Sequence, residues 1–162
     1  MKAQDLREKS VDTTPASTLT GDGLDITPSD NTEMLRALGR DPLVIKATRI
    51  DAMFGLTNLM ESALQSSQQL NLPALILYGE HDDIIPPSPM CEMIEGLPDQ
   101  EAARWRMILY PEGYHMLTRD LQATVVLQDM LAWLRDPSVR RLPSDLEVNT
   151  VTPRLRAMCE GV

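Results

Sequence analysis

Two short segments concentrate the residue types that move protons: Gly79-Glu80-His81-Asp82-Asp83 and Pro111-Glu112-Gly113-Tyr114-His115, each directly after an apolar run. Asp82 and His115 are separated by 33 residues, about the length of one strand–helix–strand unit. Adjacent parallel strands would therefore deliver a carboxylate and an imidazole to neighbouring positions at one edge of a sheet, where open α/β sheets bind their ligands. An acid that keeps one ring nitrogen protonated leaves the other free to take a proton from a hydroxyl, which makes two members of a nucleophilic triad. Simpler roles stay open. Asp82 can be a turn residue, since Asp is common in turns, and His115 can cap a loop. Asp83 is expected to point elsewhere as an exposed neighbour. His81, Asp82, Asp83 and His115 also include metal-ligand types, but consecutive residues on a tight loop rarely converge on one ion, so a metal site is not expected; proton transfer between an acid and a histidine calls for no organic cofactor either.

The elements that must position these loops can be read from periodicity. Leu72 to Gly79 is a continuous apolar run bounded by Pro73 and Gly79, with Ala74 to Tyr78 as its centre, and Trp105 to Tyr110 (WRMILY) is a second apolar strand candidate. Both fit strands buried on two faces. Between them Pro89 suits the first residue of a helix through Ile94 that stops at Gly96, and an amphipathic helix is expected from about Asp120 to Arg135. Upstream, Ser29 or Asp30 can cap a helix over Asn31 to Leu38, with Gly39 as its stop signal. A longer helix from about Thr48 to Ser67 gathers Ile50, Met53, Phe54, Leu56, Leu59, Met60, Ala63 and Leu64 on one broad face. That face reads equally as core or as a substrate-facing surface, since Met suits both. Residues 1–28, rich in Thr, Ser, Asp and Gly, read as tail or loop, and the stretch after Pro137, with Pro143 and Pro153, as extended or poorly ordered surface chain. The division expected is 1–28 tail, 29–70 a helical segment, 71–136 strand–helix–strand–helix, and 137–162 tail.

The composition narrows the function. With 15 Lys and Arg against 24 Asp and Glu, the net charge of −9 excludes a nucleic-acid footprint. The longest apolar runs, such as Ala74 to Tyr78 and Ala123 to Leu127, fall far short of the roughly 20 residues of a membrane-spanning helix. The first ten residues carry charge without an apolar stretch behind them, so the default location is cytoplasmic. Cys91 and Cys159, 68 residues apart with neither CxxC spacing nor a histidine partner, read as free thiols. At 162 residues one domain is expected, but two parallel strands leave too much bare edge to be stable alone. The chain reads as part of a larger fold.

The runs PALILYGEHDDIIP and ILYPEGYHML, followed by a helix ending in AWL, resemble the closing section of the α/β-hydrolase fold. The resemblance is to the monoacylglycerol lipase and lysophospholipase branch, also called the serine aminopeptidase type, and covers roughly Leu19 to Asp136. In that family the acid lies three residues after a strand-terminal glycine, which falls on Asp82, and the histidine follows in a Gly-x-His turn, which falls on His115. Residues from about Asp30 to Ser67 resemble the helical cap over the acyl pocket. The resemblance implies an α/β class chain: a C-terminal portion of the α/β-hydrolase fold, with a partial parallel sheet, flanking helices and a cap segment. Its substrates would be carboxylic esters of lipid-like molecules such as monoacylglycerols or lysophospholipids. Family members carry the nucleophile in a G-x-S-x-G turn. None of the nine serines here, at 10, 17, 29, 62, 66, 67, 88, 138 and 144, has that context. The alternative is a non-catalytic interaction module, or a chain that self-associates or pairs with a separate serine-bearing half.

Overall fold

The computed structural model describes residues 18–20, 25–99, 104–150 and 152–160. In chain order the elements are β1 (Thr18–Thr20), α1 (Thr32–Arg40), β2 (Ala47–Arg49), α2 (Ile50–Ser67), β3 (Ala74–Gly79), α3 (Pro87–Gly96), β4 (Trp105–Tyr110), α4 (Ala123–Arg135), β5 (Glu147–Val148) and α5 (Pro153–Glu160). The tail expected over 1–28 lies largely outside the described residues.

The two apolar runs pair as parallel neighbours, in register from Ala74 opposite Trp105 to Gly79 opposite Tyr110. Side chains on a strand alternate between faces, so β4 divides its residues between two cores. Trp105, Met107 and Leu109 pack with Tyr78, Ile94 of α3, Val148 and Leu155 of α5. Ile108 and Tyr110 pack on the other face with Val126 of α4 and Leu142. Both faces being covered explains why both strands are apolar apart from Arg106. The second edge of β4 takes β5 as an antiparallel neighbour, Met107 opposite Val148 and Ile108 opposite Glu147, so the sheet is mixed, in the order β3-β4-β5. Among the described residues the outer edge of β3 has no partner strand. A separate antiparallel pair, β1 with β2, lies before α2.

Several boundaries differ from the sequence expectation, each for a local reason. Asn31, and neither Ser29 nor Asp30, caps α1, accepting from the Met34 amide at 3.1 Å. The other two are engaged elsewhere: Ser29 donates to Asp120, and Asp30 accepts from the Leu121 amide. The helix continues through Gly39 to Arg40, just ahead of Asp41-Pro42. α2 starts at Ile50 because Ala47 to Arg49 are taken by β2. No residue of α2 is buried; Phe54 is 62% and Leu59 66% exposed, so its apolar face is not core in this chain. α3 begins at Pro87, where a proline sacrifices no helical hydrogen bond.

The stretch after Pro137 is not a loose tail: it supplies β5, α5 and the buried Leu142, Val148 and Leu155. Nor are the cysteines free. Cys91 on α3 and Cys159 on α5 form a disulfide with their Cα atoms 5.6 Å apart. Their wide sequence separation concealed this, because the pairing depends on α5 folding back against α3.

Candidate active site

The geometry of the site begins with two glycines at the carboxyl ends of β3 and β4. A Cβ on Gly79 would stand 2.4 Å from the carbonyl carbon and oxygen of Gly113, and one on Gly113 would stand 3.0 Å from Gly79 Cα. Only a backbone without side chains allows so close an approach. The contact is then hydrogen-bonded: the His81 amide donates to Gly113 O at 2.9 Å, and the Glu80 amide to Tyr110 O at 3.0 Å. The loops that follow the strands are thereby joined at their roots.

From these roots the structure brings Asp82 and His115 together. His115 Nδ1 lies 3.0 Å from Asp82 Oδ2 and 3.2 Å from Oδ1. Asp82 is fixed from behind, since its Oδ1 accepts from the amides of Ile84 and Ile85, both at 2.9 Å. The carboxylate side chain is 8% exposed and the imidazole 40%, so the acid is enclosed while the ring faces solvent. With Asp82 accepting, Nδ1 carries the proton and Nε2 is left as a base. Tyr78, beneath the loop, donates to Ile85 O at 2.7 Å. Burial, reinforced by the Asp82 charge, pushes its phenol up to about 12.

The neighbouring residues are placed differently. His81 turns away from the pair and stacks on Tyr114, ring centroids 5.2 Å apart. Asp83 is exposed and accepts from the Thr27 amide at 3.1 Å. Glu80 pairs with Arg154 of α5 at 2.5 Å. Among the described residues no group of three His, Cys, Asp or Glu is placed to hold a metal ion.

Sequence reasoning missed the supports of the pair. Asp120, expected to open α4, instead lies in the turn before it, 4% exposed, accepting from the Tyr114 amide and the Ser29 hydroxyl. Arg154 was assigned to a tail. No periodic signal marks either residue, because each acts across a long sequence separation. The acid loop also borders an open, apolar-lined groove of about 390 Å³ between α2 and α3, lined by Met60 and Leu64 on one side and Ile85, Pro89, Met90 and Met93 on the other. Among the described residues no helix is long and apolar enough to cross a membrane.

Known proteins resemble this chain over part of their length. A monoacylglycerol lipase of Mycolicibacterium smegmatis is 25% identical over 109 residues, 60% of this chain and 38% of the relative. The crystal structure of Paleococcus ferrophilus monoacylglycerol lipase superposes with a TM-score of 0.63 at 24% identity, covering 75% of this chain and 47% of that one, and shows the same fold. The chain thus spans less than half the length of either. The sheet with its flanking helices is a portion of the α/β-hydrolase fold. The family model for serine aminopeptidase, S33, matches residues 5–122, so the chain belongs to that family.

Proposed function

We propose that this chain is a portion of a serine hydrolase acting on carboxylic esters of lipid-like substrates such as monoacylglycerols or lysophospholipids, with Asp82 as the acid and His115 as the base. The observation that supports it most is the enclosed Asp82 carboxylate at 3.0 Å from His115 Nδ1, on loops rooted at adjacent parallel strands. In the reaction proposed, His115 Nε2 takes the proton of a serine hydroxyl as that oxygen attacks the ester carbonyl. Asp82 stabilises the resulting imidazolium, which then gives its proton to the departing alcohol. Water attacks the acyl-serine by the same proton path and releases the fatty acid. The groove between α2 and α3 is apolar and adjoins the acid loop, which suits an acyl chain.

The serine is the missing member. None of the nine serines stands in a G-x-S-x-G turn, and the outer edge of β3 is unpaired among the described residues. We therefore assign the nucleophile to a separate or preceding segment that pairs with β3. The chain alone is expected to give no covalent labelling with an active-site fluorophosphonate and no esterase turnover above background. Together with a serine-bearing half it should gain both, and His115→Ala should remove the turnover. Stoichiometric labelling of the isolated chain would overturn this assignment.

A further inference from the structure

One buried carboxylate outside the Asp82–His115 pair links the histidine loop to the segment that leads into α1. Asp120 is 4% exposed, and among the described residues no cation pairs with it. An enclosed carboxylate is costly unless its oxygens are hydrogen-bonded, and each here has a specific donor. Oδ2 accepts from the Tyr114 amide at 2.9 Å, and Oδ1 accepts from the Ser29 hydroxyl at 2.6 Å. Ser29 is itself 1% exposed, and its oxygen accepts from the amide of Asn31, the cap of α1.

Both bonds fall where they bear on the imidazole. Tyr114 immediately precedes His115, so fixing its amide holds the Gly113–Tyr114 peptide, one residue ahead of the imidazole. Asp120 also donates its own amide to Met116 O, just after His115. The attachment continues along the strand of chain entering α1: Met116 donates to Pro28 O, Asn31 Nδ2 to Arg119 O, and the Leu121 amide to Asp30. Residues 28–31 are thus bonded on one side to α1 and on the other to the turn that carries the histidine.

We propose that Asp120 is a positioning residue for His115 and that, through Ser29, it couples the placement of α1 to the orientation of the imidazole against Asp82. The inference rests on the reading of Asp82 and His115 as the acid–base pair. A displacement of α1 is then transmitted to the ring through the buried Ser29–Asp120–Tyr114 path.

The test is the tautomer of His115, read from its ring nitrogen resonances in the full chain labelled with nitrogen-15 histidine, at mildly alkaline pH where imidazole is neutral. The two histidines are assigned with His115→Gln. Wild type should show the Nδ1–H form, and Asp82→Asn should alter it. Asp120→Ala should lose that form in favour of mixed tautomers, and Ser29→Ala should shift in the same direction while still melting cooperatively. Asp120→Asn should restore the wild-type signal, because an amide can accept from Tyr114 and donate to Ser29. If Asp120→Ala does not fold, Ser29→Ala decides alone. Variants that melt lower but keep the wild-type tautomer would overturn the coupling and leave the pair intact. A wild-type ring without the Nδ1–H form would overturn the pair, and the coupling with it.

Discussion

At the scale of single residues the site depends on what is absent from two positions. Gly79 and Gly113 let the backbones of the acid and histidine loops touch, and a methyl group at Gly79 would collide with Gly113 backbone that cannot rotate away. Gly79→Ala should therefore cost on the order of 3 kcal/mol or more in denaturant unfolding and separate Asp82 from His115. Gly39 is the internal control. It lies within α1 with nothing within 4 Å of an added Cβ, so Gly39→Ala should stabilise by roughly 0.5–1 kcal/mol through helix propensity alone. Equal effects of the two substitutions would refute the close-approach argument. The same scale holds Asp129, 0% exposed, which accepts from Tyr110 and from the Ser144 amide and so pins the far side of β4.

Among the elements, α5 has the largest consequence for its length. Its eight residues join the body at three kinds of contact: the disulfide from Cys159 to Cys91 on α3, the buried Leu155 against β4 and α3, and the Arg154–Glu80 ion pair at the root of the acid loop. The ion pair is about one-third exposed on both sides and is worth little alone. The cross-link closes a 68-residue separation and, by the chain-entropy argument, should contribute about 4 kcal/mol. Replacing both cysteines by serine should lower the stability accordingly and steepen the denaturant transition, because the unfolded chain without the cross-link exposes more surface. An unchanged midpoint would show that Leu155 and its neighbours hold α5 without the bond.

At the scale of the whole molecule, β3 is paired on one side only among the described residues, and α2 exposes Ile50, Met53, Phe54, Leu56, Leu59 and Met60. Unpaired strand edges and contiguous apolar surface invite association. The purified chain should self-associate or bind a hydrophobic dye, and a serine-bearing half that adds a strand to β3 should suppress both. A monodisperse, dye-silent monomer with a sharp cooperative melt would refute the incomplete-sheet reading.

What the sequence determined by itself is the part carried by local pattern. Two apolar runs, each followed by a loop with an acid and a histidine, specified β3 and β4, their parallel pairing, and the carboxyl edge where Asp82 and His115 stand 33 residues apart. The placement of the loops was legible because strand period and spacing are short-range signals. The tertiary structure decided everything that depends on distant segments meeting. Glu147–Val148 is too short to announce a strand and becomes one only beside Met107 and Ile108. Cys91 and Cys159 form a disulfide only because α5 returns to α3. In isolation Ser29 and Asp120, 91 residues apart, look like a helix cap and the first residue of a helix. They acquire another role because a buried carboxylate must find donors wherever the fold brings them, and here the fold brings the approach to α1 against the histidine turn.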